Sequence, residues 1–490
     1  MKNPLPIAIL ASLLAPAAQA ATYTVTTLAD SGAGSLRAVV AAANAASGAD
    51  AIVFQSGLAG TITLTGGELL VTDNLSITGP GPGRITLDAN HAGRAFHLTN
   101  PNGQDKVFAI SGLTVTHGAT SAAGGDDGGG GVFYEASSIH AQITLADMVF
   151  SDNTAARKGG AVSVDGANLI LRNVSMTGNA VAGGFQPSGG ALYFSRGLVT
   201  IEKSRIVGNS AELNAGGMRL ASPGVDAVIT DTLVQDNTAT HTGGAMVADT
   251  MHSLRISRSA FVGNSTGQPY GGGIYFAGVT DAGSPENVIE NSTFSANVSR
   301  HDAGTGSALA IWQGNMTVRN STFAFNRTSP ELAPIAGAGG AVWLGNGAST
   351  KLKLQSVLFA GNTHGNGGLK VDLTRNDGGS VQSTLDASYS SFEAAPAIGV
   401  ISGTNDHNLF DVDPLLQPLA FVGGPTPVHP LPPESEAIDA GSNPASLATD
   451  QRGSGHPRAA DAAHCGRPGQ PDIGAFEYYS DWIFCNGFND

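Results

Sequence analysis

FSDNTAARKGGAVSV, residues 150–164, returns one period later as MTGNAVAGGFQPSGGALYF, residues 176–194. Each copy carries an apolar residue three places before an Asn, then a glycine pair, then a short alternating strand. The first marker continues at Ile206-Val-Gly-Asn209, Val234-Gln-Asp-Asn237, Phe261-Val-Gly-Asn264, Phe294-Ser-Ala-Asn297, Phe323-Ala-Phe-Asn326 and Phe359-Ala-Gly-Asn362. Successive asparagines stand 26, 30, 28, 27, 33, 29 and 36 residues apart. The second marker keeps phase with it, at Gly159-Gly160-Ala161, Gly189-Gly190-Ala191, Gly243-Gly244-Ala245, Gly271-Gly272-Gly273 and Gly339-Gly340-Ala341. A period near 29 fits one coil of three short strands and three turns. A coil of that size cannot bury its own apolar face, so neighbouring copies must cover it.

After each glycine pair the first and third positions read Val132/Tyr134, Val162/Val164, Leu192/Phe194, Met218/Leu220, Met246/Ala248, Ile274/Phe276, Leu309/Ile311, Val342/Leu344 and Leu369/Val371. Period-two geometry puts all of these on one inner face. A propeller blade needs about 40 residues or more, and a leucine-rich horseshoe needs a Leu-x-x-Leu-x-Leu spacing that is missing. The expected fold is all-β: a single-stranded right-handed parallel β-helix. It occupies residues 51–395, with strands continuous from about Ala51 to Leu385. Stacked coils would place Asn153, Asn179, Asn209, Asn237, Asn264, Asn297, Asn326 and Asn362 in one turn ladder, passing amide hydrogen bonds from coil to coil. That role is structural.

The position between the two inner residues faces outward. It reads Phe133, Ser163, Tyr193, Arg219, Val247, Tyr275, Ala310, Trp343 and Lys370. Four aromatic and two basic residues among nine make this stripe the candidate ligand face. Aromatic rings stack on sugar rings, and Arg219 or Lys370 pairs with uronate or sulfate groups. The competing expectation is that long loops, such as Gly118 to Gly130, fold over the stripe and bury it as a second core.

The ends read differently. Lys2, the apolar run Leu5 to Ala15 and Ala18-Gln19-Ala20 make residues 1–20 a signal peptide, so the chain is expected to be exported. Residues 21–50 form an N-terminal cap in which Ser35 caps a short helix with Leu36, Val39, Val40 and Ala43 on one face. Residues 396–490 are a Pro-rich C-terminal cap with a possible sorting tail at Ile483 to Phe488. Cys465 and Cys485, an even pair in an exported chain, favour a disulfide over a metal site. No later stretch spans a membrane as a helix. With 24 Lys+Arg against 39 Asp+Glu, the net charge of −15 repels nucleic acid. Nothing in the sequence calls for a cofactor or a metal.

The glycine-pair and Phe-x-x-Asn markers over residues 129–371 resemble the repeats of polymorphic outer-membrane proteins, surface adhesins with β-helical passengers. The membrane barrel that ends those adhesins has no counterpart among the strands read here. Thr22 to Asn44, with Ser35-Leu36-Arg37, resembles the CSLREA domain, although Gly34 and Ala38 replace that family's Cys and Glu. Ala437-Ile-Asp-Ala-Gly-Ser442, Asp450-Gln-Arg-Gly453 and Asp472-Ile-Gly-Ala-Phe-Glu477 resemble choice-of-anchor β-helix proteins. These resemblances imply a secreted or surface-exposed, outer-membrane-associated, adhesin-like protein facing polysaccharide or host matrix. They transfer no catalytic residue.

An enzyme of the pectin-lyase-like fold is the alternative. Asp126-Asp127 is the only adjacent acidic pair, set among glycines that read as a solvated turn, and it lacks the companions a hydrolase needs. A lyase needs a base and a group that neutralises the uronate carboxylate. Lys158, Arg219, Arg300 and His301 have the right chemistry but match no lyase spacing, and His301-Asp302 reads as a loop pair. No catalytic residue is therefore assigned.

Overall fold

A strand that alternates apolar and polar residues needs cover on one face only. In the computed structural model of this chain, stacking supplies that cover. Four parallel sheets of 14, 13, 11 and 9 strands, here sheets I to IV, are wound by about 12 coils of a right-handed β-helix. The structure describes residues 20–479 apart from 101–102, 122–127, 137–138, 279–284, 302–304, 333–338, 346–349, 377–382, 398 and 459–469. The signal peptide (but for Ala20), Asp126-Asp127, Asp302, Cys465, Cys485 and the 483–488 tail lie outside the described residues.

One coil passes through Val132–Glu135 in sheet III, Ala141–Ala146 in sheet I, Val149–Ser151 in sheet II and Thr154–Ala155 in sheet IV. The two-residue strands of sheet IV are a fourth element that a three-strand coil does not contain. They form because the Asn corner leaves the next two residues extended and in register, as in Thr154↔Ala180 and Ala155↔Val181. Parallel pairing begins at Thr22–Val25 against Asp50–Phe54 and ends at Leu409–Phe410, so strands run beyond both 51 and 395.

The interior is a stack of identical positions. Phe261, Phe294, Phe323, Phe359, Phe392 and Phe410 follow one another at ring separations of 4.7–5.5 Å and interplanar angles of 17° or less. At the N-terminal end the helix Leu36–Ala45 closes this column by burying Leu36, Val40 and Ala43, and the Ser35 side chain accepts from the Ala38 N–H. Arg37 fastens the helix by donating to Asp30, Gly67 O and Glu68 O at 2.6–3.0 Å.

The residue before every ladder asparagine is left-handed: Asp152, Gly178, Gly208, Asp236, Gly263, Ala296, Phe325 and Gly361 have φ of 54–66°. That explains why Gly and Asp recur there, since Asp tolerates this region and Gly has no Cβ to strain. The glycine pair divides its task. Gly159 needs positive φ, at 57°, whereas Gly160 needs space, because a Cβ there would stand 2.3 Å from Gly190 O on the next coil.

The eight asparagines stack without a break. In each link the amide oxygen accepts from the N–H and Nδ2 of the preceding coil's asparagine, as Asn237 does from Asn209 at 3.0 and 2.9 Å. Each Nδ2 also donates to a backbone carbonyl, for Asn237 that of Ile206 at 2.8 Å. Gly118 N–H opens the ladder on Asn153 Oδ1, and Asp372 closes it by accepting from Asn362 Nδ2 at 2.9 Å. Burial pushes the Asp372 carboxyl up to about 6. A second ladder, of hydroxyls, stands at the other end of sheet II. Ser204, Thr232, Ser259, Ser292 and Ser321 each accept a backbone N–H from the coil before at 3.1–3.4 Å and donate to the carbonyl two residues back.

The segment after Phe410 is not an end cap. It folds back along the flank of sheet II, where Leu358 and Ala360 pack with Val428, Leu431, Ala437, Ile473 and Phe476. Its three motifs, at 437–442, 450–453 and 472–477, meet: Asp439 N–H donates to Asp472, Ile473 N–H to Ala437 O and Glu477 N–H to Asp450. Polar bonds pin it to the solenoid, including Thr293 to Gln451 at 2.7 Å and Arg458 to Asn291 at 2.6 Å. Five ionisable groups are buried here: Asp450, Asp472, Glu477, Arg452 and Arg458. Three carboxyls against two guanidiniums balance when one proton is retained. Burial raises Glu477 to about 9 and Asp472 to about 7, and their mutual repulsion adds to the Glu477 shift.

Two outcomes are expected. Asn237→Ala removes four hydrogen bonds in mid-ladder and should cost about 1–3 kcal/mol or more in denaturant unfolding, since it leaves buried amides unpaired; an unchanged midpoint would refute the ladder's role. Because Glu477 and Asp472 hold protons when folded that they lose when unfolded, stability should fall as pH rises from about 4.5 to about 9. Melting at pH 5, 7 and 9 measures this, and Glu477→Gln should flatten the slope.

Candidate functional site: the outer face of sheet III

Register fixes one outward residue per coil in sheet III: His97, Phe133, Ser163, Tyr193, Arg219, Val247, Tyr275, Ala310, Trp343 and Thr374. Lys370 is not among them. Gly365 and Gly368, at φ of 73° and 64°, turn the chain back, so Leu369–Lys370 pairs antiparallel with Thr363–His364 in sheet IV. The sheet III strand comes later, at Leu373–Arg375, and the expected inner pair Leu369/Val371 belongs to the hairpin, with Leu369 exposed. Lys370 instead pairs with Glu393.

Neighbouring side chains divide the remaining stripe. Phe133 is buried beneath Arg94, 4.4 Å from its ring, and edge-on to His97 at 5.3 Å; the Glu68 carboxylate contacts both Arg94 and His97. Ser163, Val247, Ala310 and Trp343 are buried as well. Tyr193, Arg219 and Tyr275 remain half-exposed.

Two groups of side chains stand over this face. Toward the C-terminal end, Tyr270, from the turn before Gly271, sits 5.9 Å from Tyr275, 5.8 Å from Trp312 and 5.8 Å from Trp343. Trp312 is 36% exposed and caps the cluster. Burial and Asp249 push the Tyr275 hydroxyl up to about 12, so it stays a neutral hydrogen-bond donor. Toward the N-terminal end, a shallow pocket of about 110 Å³ is lined by Arg157, Lys158, Phe185, Ser188, Tyr193 and Arg219. Lys158 Nζ stands 5.0 Å from the Tyr193 ring, and Phe185 at the rim is 76% exposed. Arg219 also reaches Asp249 at 3.4 Å.

Lys158 and Arg219 thus come together, while Arg300 pairs with Glu331 at 2.5 Å and the His301 carbonyl accepts from Ser329. A larger recess on sheet I, about 330 Å³, is lined by Glu286, Lys351, Lys353 and Asp386, whose charges cancel. Among the described residues no three His, Cys, Asp or Glu side chains converge as a metal site. Also among them, no helix is long and apolar enough to cross a membrane. Phe185, Tyr270 and Arg157 sit in turns, and Trp312 lies two residues past Ala310 within the strand Leu309–Gln313, so all four fall outside the one-per-coil position.

No family model matches the chain, and no curated protein matches it. Solved structures do. A mannuronic acid-specific polysaccharide family 6 lyase from human gut microbiota is 12% identical at a TM-score of 0.37, over 80% of this chain and 92% of that one. Bacteriophage CBA120 tailspike protein 3 is 11% identical at 0.31, over 71% and 57%. PfbA, a surface adhesin of Streptococcus pneumoniae, is 10% identical at 0.29, over 73% and 87%. At these scores none of them bears on what this chain binds.

Burial separates packing residues from surface ones, and unfolding experiments can read the difference. Trp343, 6% exposed, should cost about 3–5 kcal/mol when cut to Ala. Trp312→Ala should cost a small fraction of that. Equal losses in guanidinium unfolding would mean the two rings are one core.

Proposed function

We propose that this protein is an exported, surface-exposed β-helix that binds glycans along the outer face of sheet III. The observation that carries the reading is the grouping of exposed rings with half-buried ones on one face: Phe185 lines one pocket with Tyr193, and Trp312 stands against Tyr270, which in turn abuts Tyr275. Rings held in place by neighbours present flat apolar surface at little entropic cost, which suits stacking against sugar rings. A flat sheet face with little enclosed volume suits a polymer better than a small metabolite.

One observation favours the lyase alternative. Lys158, Tyr193 and Arg219 share a pocket, so a base and a carboxylate-neutralising cation lie side by side. Incubation with polyuronates, followed by the ultraviolet absorbance of unsaturated products, separates the two: its appearance would make the protein an enzyme.

The test of the binding reading is a glycan and host-matrix array probed with the mature protein. Phe185→Ala and Trp312→Ala should each weaken the array signal while the melting temperature holds. A silent array, or variants that bind as the wild type does, would sink it.

A further inference from the structure

Charge is unevenly placed on this face. The chain as a whole carries −15, with only 24 Lys and Arg among 490 residues. Three of those cations, Arg157, Lys158 and Arg219, line one 110 Å³ pocket; among the described residues no carboxylate lines it with them, and Asp249 lies 3.4 Å from Arg219 at its edge. In a chain that repels anions overall, such a grouping is a local exception that needs a cause.

The backbone builds the grouping deliberately. Lys158 belongs to a short ladder of bridges, Gly128↔Lys158↔Ser188↔Asn214, that stacks the turns before sheet III coil on coil. Its carbonyl accepts from Gly129 N–H at 2.9 Å, which fixes the residue's origin. Tyr193 lies directly between Ser163 and Arg219 in the register. Its ring therefore floors the pocket, with Lys158 on one side and the Arg219 guanidinium on the next coil. An ammonium beside a planar guanidinium over an aromatic floor fits a sugar ring bearing a carboxylate or sulfate: the ring stacks and the anion takes charge-assisted hydrogen bonds.

The ligand must also be long. Tyr193 and the strand Leu309–Gln313 that carries Trp312 are four coils apart in the register, about 19 Å at roughly 4.8 Å per coil. Along this run Val247 and Ala310 are small and buried, and leave the surface to the rings on either side.

Resting on the glycan-binding reading, we infer that the ligand is an acidic polysaccharide laid along the solenoid axis. An anionic sugar occupies the Arg157–Lys158–Tyr193–Arg219 pocket, and the chain continues over Tyr275 to Trp312. The uronate and sulfate forms share this chemistry and are separated by the probes.

The experiment measures calorimetric binding of three hexasaccharides to the full chain: an oligogalacturonide, a sulfated galactan fragment and an uncharged cello-oligosaccharide. One of the two acidic probes should bind about ten- to a hundredfold more tightly than the uncharged one. Lys158→Gln and Arg219→Gln should each erase most of that preference, lowering affinity for the acidic probe far more than for the uncharged one. Trp312→Ala should weaken both alike. Lys158 lies in a turn, so its variant keeps the test open if Arg219→Gln perturbs folding. Equal binding of acidic and uncharged probes, or a preference that survives both substitutions, overturns this inference and leaves glycan binding standing. Absence of binding by all three overturns both.

Discussion

The amide of a buried asparagine has two donors and an oxygen with two lone pairs, and the coil geometry uses all of them. Each ladder asparagine from Asn179 to Asn326 accepts twice from the coil before and donates once to a backbone carbonyl and once to the next asparagine. Leaving any of these unmade inside the solenoid costs more than making it gains, so the ladder tolerates no slip. Once one corner is in register, sheets II, III and IV inherit it. The phenylalanine stack, the glycine corner and the outward stripe all follow from that one repeated bond pattern.

A repeated backbone leaves variety to the turns. The outer face of sheet III differs from coil to coil because turn residues reach over it. Arg94 covers Phe133, Lys158 approaches Tyr193, and Tyr270 covers Tyr275 and Trp343. Where the turn residue is apolar and large, the stripe becomes a small outer core. Arg94 likewise closes the stripe over Phe133, whereas beside Lys158 it remains open at Tyr193. Side chains thus cover part of this face and leave part exposed, one coil at a time.

The motifs that carried family resemblance have structural roles. Ser35 caps the helix, Leu36 plugs the core and Arg37 ties the cap to Asp30 and the loop at Gly67. The three C-terminal motifs converge into a buried charge cluster that clasps the flank of sheet II. Buried ion groups of this kind are sensitive to losing one partner, so they hold the segment in one arrangement. The chain past Phe410 is therefore a strap along the side rather than a lid on the end.

The sequence by itself determined the parallel β-helix, the eight-asparagine ladder positions and the inner face of eight strands, because identical residues must stack when coils repeat and period two sorts the faces. The hydroxyl ladder is legible too, as a Ser or Thr two places before each stacked apolar residue, a weaker signal than the asparagines because either residue type fills it. Only the tertiary structure decided the fourth sheet, the hairpin that removes Lys370 from the stripe, and the course of the strap. Each depends on contacts between distant residues: a glycine that closes a hairpin looks, in sequence, like one that turns a corner. The same holds for the site. Tyr193 and Arg219 were visible as outward positions, but Phe185 and Trp312 lie outside the repeat, and their place over the face is set by packing across coils that no local pattern records.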